Sequence, residues 1–286
     1  MVQGAINRRH SGLAVPPFDA LADPRKWCIL IDDFVVAENI PAALRSAAAA
    51  ATTATHALID DARNVFGSLG WNLTHITGTT ATLAAFGTAA QVQGHPGILR
   101  LSTLNGTEAM VSFQNLDAFI LPDGSGDSIY LMSVLRIGDV SESEVWFGLT
   151  SAAIAGRGAT TNTALNRVAV EYDNSVQVYY EALAADGAAT ANTTLLTPLA
   201  ADRVTPADGD WNTIEITAHE DVVSFWVDGL YQGAITGADI PDDEGLSPYF
   251  QMAEEGSTTT TLDIDVFCAR LPVQRMGYGY DTQPAD

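Results

Sequence analysis

Lysine is almost absent from this chain of 286 residues, and 13 basic residues face 35 acidic ones. The formal net charge is −22 at neutral pH. Such a charge disfavours nucleic acid, because each phosphate contact needs Lys or Arg, and it disfavours anionic membranes for the same reason. We therefore expect neither nucleic acid nor a membrane as partner. The simplest role of the acidic surface is to keep the protein in solution.

Cysteine and histidine are also scarce, which limits the metal and nucleophile chemistry that the chain can support. The two cysteines, Cys28 and Cys268, form no Cys-x-x-Cys pair, and the five histidines are widely spaced. These patterns exclude a structural zinc site. No nucleophile elbow and no phosphate-binding loop occurs. Both cysteines lie in apolar strand candidates, the first and the last. We interpret them as buried free thiols. A disulfide between them is the alternative if the two strands are neighbours.

Long apolar runs are missing as well. No stretch approaches the roughly 20 apolar residues that cross a bilayer. Residues 1–17 carry Arg8, Arg9 and His10 without an apolar segment, so they do not resemble a secretory signal. We expect the protein to be made without an export signal of its own.

The chain divides into three parts by composition, an arm, a domain and a tail. Residues 1–27 mix Gly, Pro and Arg without a period and predict an irregular arm. Residues 28–36 are rich in β-branched residues and predict a first strand. Residues 41–66 form a short helical insert that begins at Pro41. Residues 28–271, including that insert, predict one domain, and residues 272–286 a C-terminal tail.

Short strand patterns with turn residues between them fill the rest of the chain. Five early candidates are Thr80–Phe86, Gly97–Leu101, Ala109–Gln114, Ser128–Ile137 and Val145–Thr150. Later, Thr213–His219 and Val222–Val227 alternate apolar and polar residues, and Asp228-Gly229 predicts a tight hairpin to Tyr231–Thr236. A closing strand alternates at Leu262–Cys268, with Asp263 and Asp265 on a solvent-facing side. The patterns predict an all-β, two-sheet antiparallel sandwich.

Several of these segments resemble the concanavalin-A-like lectin/glucanase jelly-roll superfamily. They are Asp210–Thr217, Val223–Gly229, Ala234–Thr236, Leu246–Phe250 and Thr261–Val266, in which a "W-x-x-I-x-I" strand precedes an "F-x-V-D-G" hairpin. More narrowly, the chain is similar to jelly-roll proteins of tailed bacteriophages. Asp32-Asp33-Phe34 and the strand Val168–Asp173 carry that likeness. The resemblance covers about residues 28–36 and 80–270.

The resemblance implies a non-enzymatic virion protein, a capsid decoration or cement protein on the capsid exterior, made in the host cytoplasm. Its partners are then the major capsid protein or other virion proteins, and it forms a homo-oligomer. Arg8, Arg9, Arg25 and Lys26 give the arm a charge opposite to that of the body. That asymmetry favours docking on an acidic shell. The alternative is a carbohydrate-binding, lectin-like module or a fibre component for host attachment.

The glucanase branch of this superfamily uses acids spaced E-x-D-x-x-E on one strand. Here Glu171 and Asp173 fit, but Val176 stands in place of the third acid. Glu142 and Glu144 are two residues apart and share a face, but no further acid follows them. We therefore expect no catalytic residues and no enzyme.

The lectin branch holds Ca²⁺ with a similar strand. Glu171, Asp173 and Asn174 resemble the beginning of that site, although calcium needs six to eight oxygens. Calcium is the one cofactor that the sequence leaves open. Aromatic side chains in strands also offer sugar-stacking surfaces, and the candidates are Trp146, Trp226 and Tyr180. A lectin-like role predicts an exposed aromatic cluster or a Ca²⁺ site on the concave sheet.

Overall fold

Two antiparallel sheets stack face to face in the described part of the chain. The computed structural model describes residues 27–32, 34, 71–77, 82–85, 98–104, 106–113, 119–122, 128–151, 166–175, 178–186, 193–196, 203–237, 239–241, 245–254, 256 and 259–272. The predicted arm before Trp27, the helical insert at 41–66 and the tail after Pro272 lie outside these residues.

The larger sheet has eight strands. Its order is β13 (Leu230–Thr236), β12 (Val222–Val227), β11 (Trp211–His219), β6 (Ile129–Ile137), β15 (Thr259–Pro272), β4 (Leu99–Leu104) and β3 (Thr82–Ala85), with β1 (Trp27–Asp32) also paired to β15. Pairing across this sheet is antiparallel throughout.

The smaller sheet has seven strands. Its order is β10 (Thr193–Leu196), β9 (Glu181–Ala185), β8 (Arg167–Asp173), β7 (Ser143–Thr150), β14 (Ser247–Glu254), β5 (Glu108–Phe113) and β2 (Trp71–Thr77). A 3-10 turn at Val140–Glu142 leads into β7. Among the described residues, no helix is long and apolar enough to cross a membrane. The predicted all-β antiparallel sandwich is confirmed.

The core between the sheets is formed by the apolar side of each alternating strand, as the period of two requires. At its centre Trp71, Phe147, Phe250 and Phe267 pack with ring centroids 5.0 to 6.5 Å apart. Phe34 joins this cluster at 6.0 Å from Trp71. Edge-on and offset contacts of this kind add to the free energy gained by burying the rings.

The first strand is shorter than the sequence predicts, because a buried side chain ends it. Asp32 accepts hydrogen bonds from the Phe34 backbone N–H and from Trp71 Nε1, both at 3.0 Å. Phe34 has a φ of 53°, which breaks the strand and turns its ring into the core. The Asp-Asp-Phe sequence therefore anchors the start of the fold to the aromatic cluster.

The two cysteines lie on paired strands but are both free. In the register of β1 and β15, Cys28 lies opposite Leu271 and Cys268 lies opposite Ile31. The sequence prediction of two buried thiols is correct for Cys268 and wrong for Cys28, which is exposed. Burial raises the pKa of Cys268 to about 11.

The hairpin at Asp228-Gly229 has the predicted backbone, with φ values of 51° and 75°. The Asp228 carboxylate accepts hydrogen bonds from the Thr213 N–H at 2.7 Å and from Asn212 Nδ2 at 2.8 Å. The same aspartate therefore shapes the turn and ties it to β11.

The predicted solvent-facing acids of the last strand need one correction. Asp263 is buried and binds two arginines, with Arg100 Nε at 2.6 Å and Arg136 Nε at 3.0 Å. A carboxylate can leave water when charged donors replace its hydration. Alternation alone predicts the face of a side chain but not whether neighbours cover it.

Candidate functional site

The outer face of the seven-stranded sheet, the side turned away from the core, is polar, and most of its described side chains are buried, although Glu171 and Asp173 are partly exposed. Val145, Phe147 and Leu149 of β7 enter the main core, so Trp146 points to the other side. There it forms a small separate cluster with Met110, Ala169, Tyr249 and Ala253. We call this side the polar face, because its other described positions are mostly charged or amide side chains, namely Glu108, Glu144, Arg167, Glu171, Asp173, Glu181 and Gln251.

Three carboxylates meet at one end of the polar face. Glu144 lies directly opposite Asp173 in the pairing of β7 with β8, and Glu171 is two residues before Asp173 on the same side of β8. Each of the three offers an oxygen, and these oxygens lie within 4.8 Å of one another. We call this group the carboxylate cluster.

Glu171 is the member of the cluster whose proton affinity is most changed. Burial raises its pKa from 4.5 to about 7. The negative charges of Asp173 and Glu181 act in the same direction. The positive charge of Arg167 and the indole N–H of Trp146 lower it and offset part of the shift. A negative charge nearby disfavours the ionised form of an acid.

The donor set of the carboxylate cluster fits a hard cation. Ca²⁺ and Mg²⁺ prefer carboxylate, carbonyl and water oxygens, whereas zinc and copper favour nitrogen and sulfur. One oxygen of Asp173 is already engaged, because Ser175 donates its N–H at 2.8 Å and its hydroxyl at 2.6 Å. Asn174 donates its amide N–H to the Ser141 carbonyl. Its Oδ1 is buried and has no hydrogen-bond partner within the described structure.

A second group of polar atoms lies beside the carboxylate cluster without hydrogen bonds. Arg167 is only 4% exposed, and in the described part of the chain its Nε and Nη1 have no partner. The same holds for Trp146 Nε1, Tyr249 Oη and Gln251 Oε1. The Trp146 N–H is near enough to Glu171 to lower its pKa but does not meet hydrogen-bond geometry. Unpaired buried polar atoms are costly and uncommon in folded proteins.

The three predicted stacking residues are all buried. Trp146 is 1% exposed, Tyr180 2% and Trp226 8%. Tyr180 donates its hydroxyl to Asn212 Oδ1 at 3.1 Å and Trp226 packs against Tyr231 with centroids 5.5 Å apart. A sugar ring stacks only on an accessible ring face, so this burial speaks against the three stacking assignments.

The structure brings together two of the three predicted calcium ligands, Glu171 and Asp173, and adds Glu144. Sequence reasoning found no third acid because it searched along one strand, whereas Glu144 comes from the next strand. The pairing of β7 with β8 is the signal that identifies it. The predicted docking residues Arg8, Arg9, Arg25 and Lys26 lie outside the described residues.

No family model and no curated protein matches the sequence. Among solved structures, the chain is similar to a GH16 protein of the Bacteroides ovatus mixed-linkage glucan PUL, with 9% identity, a TM-score of 0.49, and coverage of 71% of this chain and 96% of that one. It is also similar to the Emp46p carbohydrate recognition domain in a potassium-bound form, at 11% identity and a TM-score of 0.44, covering 66% and 87%.

A third similar structure is a conserved carbohydrate esterase from the Shiga toxin-encoding bacteriophage phi24B, at 13% identity and a TM-score of 0.43. The match covers 72% of this chain and 93% of that one. These neighbours are carbohydrate-active or carbohydrate-binding jelly-roll proteins. At such identities and TM-scores, they support no argument about the activity, ligand or partners of this chain.

Proposed function

We propose that the protein is a non-enzymatic structural protein of a virus particle, a capsid decoration protein that docks on the shell through its N-terminal arm. The sandwich presents an acidic surface, while Arg8, Arg9, Arg25 and Lys26 concentrate positive charge before the first strand. Opposite charges on arm and body favour one docking orientation. The phage-type likeness of Asp32-Asp33-Phe34 and Val168–Asp173 supports the same role.

The observation that carries the non-enzymatic part is the burial of the polar face. Trp146, Tyr249 and Gln251 lie across its middle, and all three are at most 1% exposed. An enzyme acting on a glycan chain needs an open groove at least several sugars long, with its acids in contact with substrate. The middle of this face, as far as the structure describes it, therefore offers no open groove for a polymer.

Binding to emptied capsids of the encoding phage tests the docking role. We expect the full chain to sediment with capsids, and its affinity to fall steeply as salt rises, because charge pairing contributes to it. We expect a variant that carries Gln at all four positions, Arg8, Arg9, Arg25 and Lys26, to lose co-sedimentation with capsids. The matched control replaces two cationic residues of the body, Arg203 and Arg270, with Gln. Undiminished binding of the arm variant, or no binding of the wild type, would contradict the proposal.

A second candidate function is cation-dependent glycan binding, and the carboxylate cluster is the observation that favours it. Three oxygens within 4.8 Å of one another supply half of the ligands that Ca²⁺ requires, and water or sugar hydroxyls would complete the shell. Glu144, Glu171 and Asp173 would hold the ion. The ion would neutralise three carboxylates that otherwise repel one another.

Calcium titration followed by thermal unfolding tests this second candidate. At about 100 times its dissociation constant, a bound ion adds roughly 2.7 kcal/mol, which raises the Tm by about 5 to 10 °C in a domain of this size. We expect the rise in the wild type and its loss in Asp173→Asn. Asp221→Asn, in an exposed turn, is the control. An identical rise in both variants would place calcium elsewhere. Glycan hydrolysis that Glu171→Gln abolishes would contradict the non-enzymatic role.

A further inference from the structure

The outer face of the eight-stranded sheet, the side turned away from the core, is apolar at its centre. β6 lies in the middle of this sheet, and its Leu131 and Leu135 enter the core. Met132 and Val134 point to the other side and are half-buried. Where one side of an antiparallel sheet faces water, the outward positions are normally polar. β6 therefore has the apolar pattern of a strand covered on both sides, but none of the described strands lies over its outer side.

Apolar side chains continue from β6 toward both edges of the sheet. Direct cross-strand pairing aligns one outward row over β13, β12, β11, β6, β15 and β1, which consists of Tyr231, Trp226, Glu215, Met132, Cys268 and Ile31. At the two ends of this row, Tyr231 is 38% exposed and Ile31 is 51% exposed. In the next row, Val134 pairs with Val266, which is also half-buried. A contiguous apolar patch of this kind is typical of an interaction surface.

The charged residues of this outer face balance one another. Its described positions, counted with the bulge in β15, carry three arginines and three acids, namely Arg100, Arg136, Arg270, Glu215, Asp263 and Asp265. Asp263 binds two of the arginines, and Glu215 accepts the Tyr130 hydroxyl at 2.8 Å. The face is thus formally neutral, although the chain has a net charge of −22. We call it the neutral face.

This charge balance favours a second copy of the chain as the partner. In a symmetric dimer the same patch of both subunits meets itself, so an acidic patch would repel its copy, whereas a neutral apolar patch does not. The pairing of β11 with β6 gives four outward rows. With strands about 4.8 Å apart and rows about 6.8 Å apart, six strands cover on the order of 700 Å². A specific interface buries about 800 Å² per partner, so the neutral face is large enough for a stable dimer.

We propose that two copies of the chain pack against each other through their neutral faces, with Met132, Val134 and Val266 at the centre of the interface. Burial of these half-exposed side chains supplies the driving force. Tyr231 and Ile31 lie toward opposite edges of the interface. Two sheets packed face to face repeat between subunits the arrangement that the sandwich has within one subunit. The inference goes beyond capsid docking and does not depend on it, because it involves no residue of the arm.

Sedimentation velocity of the full chain over a wide range of micromolar concentrations tests the dimer. We expect the wild type to dimerise. Val134→Lys places like charges opposite each other at the centre of the interface and should weaken dimerisation at least about a hundredfold. Val178→Lys is the matched control, because Val178 is 63% exposed and lies between β8 and β9, away from the neutral face. It should dimerise like the wild type. Circular dichroism establishes that each variant is folded.

Ile31→Ser tests the same face without placing a charge in it. Because the side chain is half exposed, the substitution should leave the fold intact. It should weaken dimerisation about tenfold, since the dimer no longer buries this aliphatic side chain. Added NaCl should strengthen the wild-type dimer, because salt screens the repulsion between two chains of the same net charge. A dimer held by the basic arm of one copy on the acidic body of another would weaken instead.

Several results would overturn the inference. They are a wild type that stays monomeric at the highest concentration, a dimer that salt dissociates, and a dimer that Val178→Lys weakens as much as Val134→Lys does. Unchanged dimerisation of Val134→Lys contradicts it as well, and if that variant does not fold, unchanged dimerisation of Ile31→Ser has the same meaning. Capsid co-sedimentation of the arm variant is a separate measurement, so failure of the docking role and failure of the dimer are distinguishable.

Discussion

At about pH 8 and in the presence of a chelator, we expect Glu171→Gln to be more stable than the wild type by about 3 kcal/mol. The wild-type glutamate must ionise inside the polar face, where burial and the charges of Asp173 and Glu181 raise its pKa to about 7. Glutamine keeps the shape and the hydrogen-bonding oxygen but carries no charge. The repulsion within the carboxylate cluster is then reduced.

The pH dependence of this effect follows from the direction of the shift. The pKa of Glu171 rises from 4.5 in the unfolded chain to about 7 in the folded protein, so between these values the folded state binds more protons. Stability therefore falls by about 1.4 kcal/mol per pH unit over this window. The contribution of Glu171 to stability is highest below pH 4.5, and the loss of this contribution is complete above pH 7.

Urea unfolding of both proteins at several values between about pH 5 and pH 8 measures the difference. The advantage of Glu171→Gln should be small at the acidic end and grow toward the alkaline end. Asp221→Asn removes the same charge from an exposed turn and should leave the pH profile unchanged. Parallel profiles for the wild type and Glu171→Gln would show that the cluster does not hold a proton near neutrality.

Trp71→Ala should cost about 3 to 5 kcal/mol of unfolding free energy, a typical loss for a buried aromatic residue. Trp71 is fully buried and packs against Phe34, Phe250 and Phe267. Its indole also donates to Asp32 at 3.0 Å. The substitution therefore opens a cavity and weakens the attachment of the first strand.

Trp71→Phe separates these two contributions. It preserves most of the ring packing but removes the donor to Asp32, so about 1 to 3 kcal/mol should be lost. Hydrogen exchange of the β1 amides should accelerate in this variant more than exchange in β11, since β11 pairs with other strands. Equal acceleration in the two strands would mean that the Asp32 bond does not anchor β1 specifically.

The strands were predictable where alternation and turn chemistry coincide. Val222–Val227 and the Asp228-Gly229 hairpin are as predicted. This turn needs a φ above zero at both positions, and Asp-Gly is a residue pair that adopts such φ values, so the sequence alone predicts the turn. The bounds of a strand differ from the prediction where a tertiary contact decides them, as at Asp32.

Pro248 lies inside β14, a strand flanked on both sides. The missing N–H is tolerated because β5 pairs only from Tyr249 onward.

The candidate site was predictable only in part, because its parts come from different strands. Glu171 and Asp173 were visible as two acids on one face of β8. Glu144 joins them only through the register of β7 with β8. Burial of the aromatic candidates depends on both sheets and their surroundings. A period of two gives the face of each residue, but not its neighbours across the sheet.

The pairing of the first strand with the last has a consequence for biosynthesis. β1, near residue 30, gains its only described partner strand from β15, near residue 270, so the sandwich cannot close until β15 has left the ribosome. Contacts this distant along the chain make folding slow. Until β15 pairs with β6, the apolar edge of β6 remains unpaired, and other nascent chains can bind to it. Chaperone supply during translation should therefore govern the yield of this protein more than its final stability does.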